Sequence, residues 1–279
     1  MLPRPIPMLW SSSSGPMTTG QPRCDKASSA TTQLPRLLFP EPFMSKLHAA
    51  LALVLVALVA STATAQNQRR VNPAFTDPEV DPNLPNVLLI GDSISIGYHV
   101  AAREALAGKA NVYRPKTNCG PTIRGLEQID QWLGDRKWDV VHWNFGLHDL
   151  KFMGPDGQNL ADPADPTSHP QVAIDDYQAN IKKLAQRIKQ QAKVVIWRET
   201  TPVPKGAGGR VPGDAKRYND AAAEAIAEVG GIVTDPFFTY AETVADMQQP
   251  ANVHYTPEGS KALGQHVATV IENALPVSE

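Results

Sequence analysis

Ser93 and His254 are the residues whose types and settings best suit covalent chemistry. Ser93 ends the triplet Gly91-Asp92-Ser93, which follows the apolar run Leu88–Ile90 and precedes a helix-like segment. A serine hydroxyl is a weak nucleophile at neutral pH, so it needs an adjacent base and donors aimed at the developing oxyanion. His254 lies in Asn252-Val253-His254-Tyr255-Thr256-Pro257, where Thr256 suits the N-cap and Pro257 the first position of the last helix. Both segments also have plain structural uses: Asp92 or Ser93 caps the next helix, and a loop histidine can stand idle. His142 and His148 are six apart and straddle a strand end, with no further ligand at recognisable zinc spacing. No metal site is therefore expected, and a metal-dependent phosphoesterase using His142, His148 and Asp149 stays a third reading.

The elements that must position these residues alternate along the chain. Asn86–Gly91, Ala110–Pro115, Trp138–Gly146, Lys193–Val203 and Gly231–Pro236 read as strands. Between and after them lie helical patterns. The clearest is Ala173–Gln191, with Ile174, Tyr177, Ile181, Leu184 and Ile188 on one face. Such alternation predicts a five-stranded parallel sheet with helices on both faces, an α/β three-layer domain of flavodoxin-like type. Ligands of such sheets sit beyond the carboxyl ends of the strands. Ser93, Asn118–Gly120 and Gly146–Asp149 all fall at those ends. Phe152–Pro170 is a long Pro/Asp/Gly loop, expected to act as a lid or binding loop, and Gly206–Gly213 is a second loop expected to shape the pocket. Trp132, Trp138, Trp143 and Trp197 suit a core or a sugar-binding cleft. Arg198 and Glu199 suit either a mutual pair or a substrate contact.

Four segments, Gly91-Asp92-Ser93-Ile94-Ser95, Asn118-Cys119-Gly120-Pro121-Thr122, Gly146-Leu147-His148-Asp149 and Val253-His254-Tyr255-Thr256, occur in this order. Together they resemble the four blocks of the SGNH (GDSL) serine hydrolases, over nearly all of residues 86–274. The resemblance implies ester hydrolysis, often of acyl groups on carbohydrates or lipids, with no cofactor. It assigns Ser93 as nucleophile, His254 as base, and the Ser93 and Gly120 N–H groups as oxyanion donors.

Two positions depart from that family. Its third block usually has asparagine where this chain has His148; a neutral histidine also donates one N–H, so His148 is the expected third donor, with Asn144 or Asn118 as the alternative. Its last block usually has aspartate three residues before the histidine, and here that residue is Ala251. The orienter of His254 is left open among Asn252, a main-chain carbonyl and Asp149, and Asp92 is a neighbour of the site. A Ser-His dyad or atypical triad is expected, acting on short acyl, chiefly acetyl, esters. The alternative is a non-hydrolytic carbohydrate- or acyl-binding protein on the same fold.

The composition bounds the partners. The chain has 279 residues, 42% of them hydrophobic, and a net charge of -2. With no basic excess or run, nucleic acid is not an expected partner; a small-molecule or polysaccharide ester is. Cys24 and Cys119 make no disulfide framework. Residues 44–65 read as a signal peptide: Lys46 near the start, an uncharged apolar core from Ala49 to Ala60, and Ala63-Thr64-Ala65 as a small-x-small cleavage site. Secretion or periplasmic export follows, without stable membrane insertion after cleavage. Residues 1–43 read as a disordered or mis-assigned extension, 66–85 as a linker and 86–274 as the hydrolase domain.

Overall fold

The computed structural model describes residues 71–275; the expected extension, the signal peptide and the first residues of the expected linker lie outside them. Five segments form one sheet: β1 (Asn86–Ile90), β2 (Asn111–Tyr113), β3 (Trp138–Trp143), β6 (Ala192–Arg198) and β7 (Val233–Asp235). All pairings are parallel, in the order β2-β1-β3-β6-β7. Val87, Leu88, Leu89 and Ile90 of β1 are all buried. Continuous apolar strands of this kind require cover on both faces of the sheet.

The cover comes from α1 (Ser93–Ala105), α2 (Thr122–Leu133), α3 (Ile174–Lys189), α4 (Asp214–Val229) and α6 (Pro257–Ala274). A short α5 (Phe237–Thr243) follows β7 and carries the buried Phe237; seven residues give too little periodicity to be read in the sequence. The expected face of α3 is buried at Tyr177, Ile181, Leu184 and Ile188. Helix α6 lies against α1 with Gly264 at the crossing. A Cβ on Gly264 would come within 2.7 Å of the Tyr98 carbonyl oxygen, so a larger residue would push apart the two helices that follow Ser93 and His254.

Two loop regions differ from their expected form. Residues 71–85 are packed on the domain where a linker was expected. Asn111 explains it: its side chain accepts from Asp81 N–H at 2.9 Å and donates to Asp81 O at 2.8 Å, while Arg103 donates to Thr76 O at 2.8 Å. The long loop after β3 is organised by a two-stranded antiparallel hairpin, β4 (Phe152–Met153) with β5 (His169–Pro170). Its Phe152 N–H donates to Gly209 O at 2.7 Å. Gly209 has φ +62°, and a Cβ there would sit 2.3 Å from Leu160 Cα. Only glycine allows the hairpin and the β6–α4 loop to touch at that point.

Candidate active site

Ser93 is the first residue of α1, held by its neighbours on both sides. Asp92 caps the helix, its Oδ1 accepting from Ile94 N–H at 3.0 Å, a contact type that contributes about 1 kcal/mol. At this first helical position the Ser93 N–H has no intrahelical acceptor, and it donates to no group among the described residues. His254 approaches from the loop before α6. Thr256 Oγ accepts from Gly259 N–H at 3.1 Å, and Pro257 opens the helix, as the sequence predicts. These two anchors bring His254 Nε2 to 2.8 Å from Ser93 Oγ, across 161 positions of sequence.

Asn252 lies behind the histidine, with Oδ1 2.7 Å from His254 Nδ1. An amide can present either its oxygen or its NH2, and only the oxygen serves here. Asn252 Oδ1 also accepts from the His254 main-chain N–H at 3.1 Å, and a main-chain nitrogen can only donate. On the other side, Asn252 Nδ2 donates to Gln249 Oε1 at 3.3 Å, and Gln249 Nε2 donates to Tyr255 O at 3.2 Å. Two fixed main-chain groups therefore set both amides. Nδ1 of His254 must carry a proton, which leaves Nε2 as the acceptor facing the Ser93 hydroxyl. Ala251, where the family has its aspartate, is in the left-handed region at φ 52°.

The other expected residues separate. Asp149 is fully buried and makes no hydrogen bond to His254. Its Oδ1 accepts from Thr122 N–H at 2.8 Å and Thr122 Oγ at 2.6 Å, fixing the start of α2 just after the Asn118–Gly120 loop. Asn144 is buried and donates to Arg198 O at 2.8 Å and Thr200 Oγ at 3.0 Å, so it is committed to the core. Gly120 has φ +68°, and its N–H, expected to face an oxyanion, donates to Asn118 Oδ1 at 3.0 Å. That bond turns the Asn118 oxygen inward and leaves its Nδ2 without an acceptor among the described residues. Asn118 lines the same pocket as Ser93 and His254, and so does His148. Burial lowers the pKa of His148; Asp92 opposes the shift, and Lys151, Arg210 and His254 reinforce it. His148 is thus neutral at pH 7 and keeps one N–H to donate.

The pocket has a volume of about 290 Å³. Besides the residues named it is lined by Leu147 and Lys151, by Asn159 and Leu160 of the hairpin loop, by Arg210 of the β6–α4 loop, and by Val253. Both long loops thus supply walls, as expected. Lys151, Arg210 and Asn159 carry no motif, and only the folded loops reveal them. Larger clefts of about 710 and 490 Å³ lie along residues 77–84 with α1 and beside β2 with Trp138; neither contains Ser93 or His254.

The remaining sequence candidates are structural. Trp143 and Trp197 are fully buried and Trp138 nearly so, and none lines the pocket. Arg198 is buried, donates to Asn144 Oδ1 and lies 4.4 Å from the Phe237 ring centroid, while Glu199 accepts from Phe238 N–H. His142 is bonded within the core to Asp235, which also accepts from His266. His142, His148 and Asp149 therefore serve three different places, and no group of three or more His, Cys, Asp or Glu among the described residues converges as metal ligands would.

Asp149 gives a direct test of site stability. Burial raises its pKa to about 7 from 3.8, against the two Thr122 hydrogen bonds. The native pKa exceeds the unfolded one, so this group's stabilisation is full below about pH 4 and is lost as pH rises through about 7. His99, lowered to about 3 by burial, acts with the opposite sign at lower pH, and the comparison cancels it. Asp149→Asn keeps the Oδ1 acceptor and removes the ionisation. The variant should gain stability relative to the parent from pH 5 to pH 8, read from denaturation midpoints. Parallel curves would mean that Asp149 is ionised throughout.

A serine hydroxyl facing an imidazole acceptor, beside a free N–H and two side-chain donors at the carboxyl ends of parallel strands, defines a serine-hydrolase-type centre. The GDSL-like lipase/acylhydrolase family model matches residues 89–262, more than half the chain, and the chain belongs to that family. By class it is a carboxylic ester hydrolase. No curated protein matches by sequence. The lipase/acylhydrolase from Enterococcus faecalis shares the fold at TM-score 0.56 and 18% identity, covering 70% of this chain and 100% of its own. Axe2, an acetylxylan esterase from Geobacillus stearothermophilus, gives 0.53 and 16%, over 67% and 93%. The acetyl xylan esterase AlAXEase gives 0.52 and 12%, over 67% and 99%.

Proposed function

We propose that the protein hydrolyses short acyl esters, acetyl foremost, through Ser93, His254 and Asn252. The 2.8 Å contact between Ser93 Oγ and His254 Nε2 carries this reading. His254 takes the Ser93 proton as the oxygen attacks the ester carbonyl; the imidazolium then protonates the leaving alcohol. Water, activated by the same nitrogen, releases the acid and restores Ser93. The tetrahedral oxyanion meets the Ser93 N–H, Asn118 Nδ2 and His148, with Gly120 acting through Asn118. A pocket of about 290 Å³, at the small end of ligand sites, favours a short acyl group. The acetyl xylan esterases among the similar folds and the signal-like segment 44–65 favour a carbohydrate ester met outside the cytoplasm.

Rates of purified protein on 4-nitrophenyl esters of increasing acyl length test this directly, with Ser93→Ala as the blank. Turnover should be highest for acetate and fall with chain length; a preference for long chains would overturn the short-acyl assignment. His148→Ala should lower kcat about 10²-fold at little-changed KM, the usual effect of removing one oxyanion donor, and His148→Asn should restore most of it. A rise in KM alone would make His148 a binding residue.

A further inference from the structure

Lys151 and Arg210 are the two cations that line the Ser93 pocket. Lys109, Lys116, Lys182, Lys193 and Lys216, with Arg187 and Arg217, each lie within 4.0 Å of a carboxylate. Lys151 and Arg210 do not; buried Arg114 and Arg198 also lack one, but they bond to neutral oxygens and do not line the Ser93 pocket, whereas Lys151 and Arg210 are half-buried in its wall. Lys151 Nζ has no hydrogen-bond partner among the described residues. Arg210 is held by main-chain oxygens, donating from Nε to Leu147 O at 3.0 Å and from Nη1 to Gly208 O at 3.4 Å. This fixes the guanidinium and leaves Nη2 unpartnered.

Electrostatics at the pocket favour an incoming anion. Burial lowers the pKa of each cation, and Arg210 adds to the effect on Lys151. Asp92 opposes the shift at Arg210 and Asp149 that at Lys151, and positive charge desolvated in excess of its counter-charge is unfavourable. Asp92 is the one carboxylate lining the pocket, and its Oδ1 already caps α1. Asp149 lies behind the wall with its charge curtailed by burial. Two cations thus face one carboxylate, in a chain whose net charge is -2.

We propose that Lys151 and Arg210 form an anion-binding subsite beside the scissile bond, and that the natural substrate is an ester whose alcohol or acyl part carries a carboxylate, phosphate or sulfate. This rests on the reading of Ser93 as an ester-hydrolysing centre and extends it to substrate choice. Both residues come from loops outside the strand-end motifs, where specificity is set on a fixed scaffold. Arg210 also ties the β6–α4 loop to Leu147, next to His148, so an anion held there is registered against an oxyanion donor.

Two matched substrate pairs test the subsite in the purified protein. One is an O-acetylated methyl glucuronide against its primary amide; the other is 4-nitrophenyl hemisuccinate against 4-nitrophenyl butyrate. The first places the charge on the alcohol side and the second on the acyl side. In one pair, kcat/KM for the charged member should exceed that for the neutral one by about tenfold or more, as for a hydrogen bond to a charged group. That preference should shrink in Lys151→Gln, in Arg210→Gln and in high salt. Lys151 makes no hydrogen bond that its replacement would break, so this variant tests the idea even if Arg210→Gln fails to fold. Equal rates within both pairs, with Ser93-dependent turnover intact, overturn the subsite and leave the esterase. A thermal-shift titration with inorganic sulfate separates the remaining outcomes. Protection that Lys151→Gln abolishes, without turnover of any ester, would support the subsite and overturn the esterase reading. Neither protection nor turnover would overturn both.

Discussion

Ser93→Ala should lower kcat on the proposed acetyl esters by on the order of 10⁴-fold or more, as removal of a catalytic serine does elsewhere. Ser93 is the hydroxyl that His254 Nε2 faces, and no other residue lining the pocket carries a hydroxyl. Attack on the carbonyl would pass to water, which lacks the fixed position that makes the reaction nearly intramolecular. The fold should survive. Ser93 is half-buried, and the change removes one side-chain hydrogen bond worth about 1 kcal/mol, while the Asp92 cap and the Ser93 N–H remain. Circular dichroism and KM should therefore stay near those of the parent while kcat collapses. Equal rates in the two proteins would remove Ser93 as nucleophile and return the pocket to the reading in which it only binds.

Asn252→Ala should lower kcat about 10²-fold, within the range for general acid–base catalysis, whereas Asn252→Asp should keep or raise it. A neutral amide in the orienting position is harmful when it forces the wrong tautomer. Here the His254 N–H and the Gln249–Tyr255 contacts hold the Asn252 oxygen toward Nδ1, so the right tautomer is kept without a charge. Alanine leaves Nδ1 unpartnered and frees the ring to turn from Ser93. Aspartate retains both acceptor contacts and adds a negative charge that stabilises the imidazolium in the transition state. Rates measured at saturating substrate decide the matter. A lowered Tm with unchanged kcat in Asn252→Ala would reduce Asn252 to a turn-forming residue of the loop.

Much of this was legible in the sequence because it rests on local rules. Strand–helix alternation and continuous apolar strands gave the parallel sheet, since a strand buried on both faces leaves few other architectures. Asp92 and Thr256 announce two helix starts by residue type alone, which is why Ser93 and His254 could be placed at the same edge of the sheet. The four short segments then carried the family. The short α5 and the packing of residues 71–85 were not legible. The first lacks periodicity, and the second depends on Asn111, whose side chain meets Asp81 only once β2 is in the sheet.

The sequence by itself determined the fold class and singled out Ser93 and His254, which the fold brings within 2.8 Å of each other. Tertiary structure decided which polar groups complete the site. Asn252, a main-chain carbonyl and Asp149 were all open as orienters of His254 until the fold set Asp149 against Thr122 and Asn252 against Nδ1. Gly120 turned out to hold Asn118, and Asn144 was claimed by β6 and Thr200. Lys151 and Arg210 reach the pocket from two loops that touch only because Gly209 lets them. Helix and strand signals are written within a few residues of chain, where neighbouring groups meet by necessity. A hydrogen-bond partner or an unpaired charge is a property of groups far apart in sequence, and it exists only after packing has brought them within about 3 Å and removed the water between them.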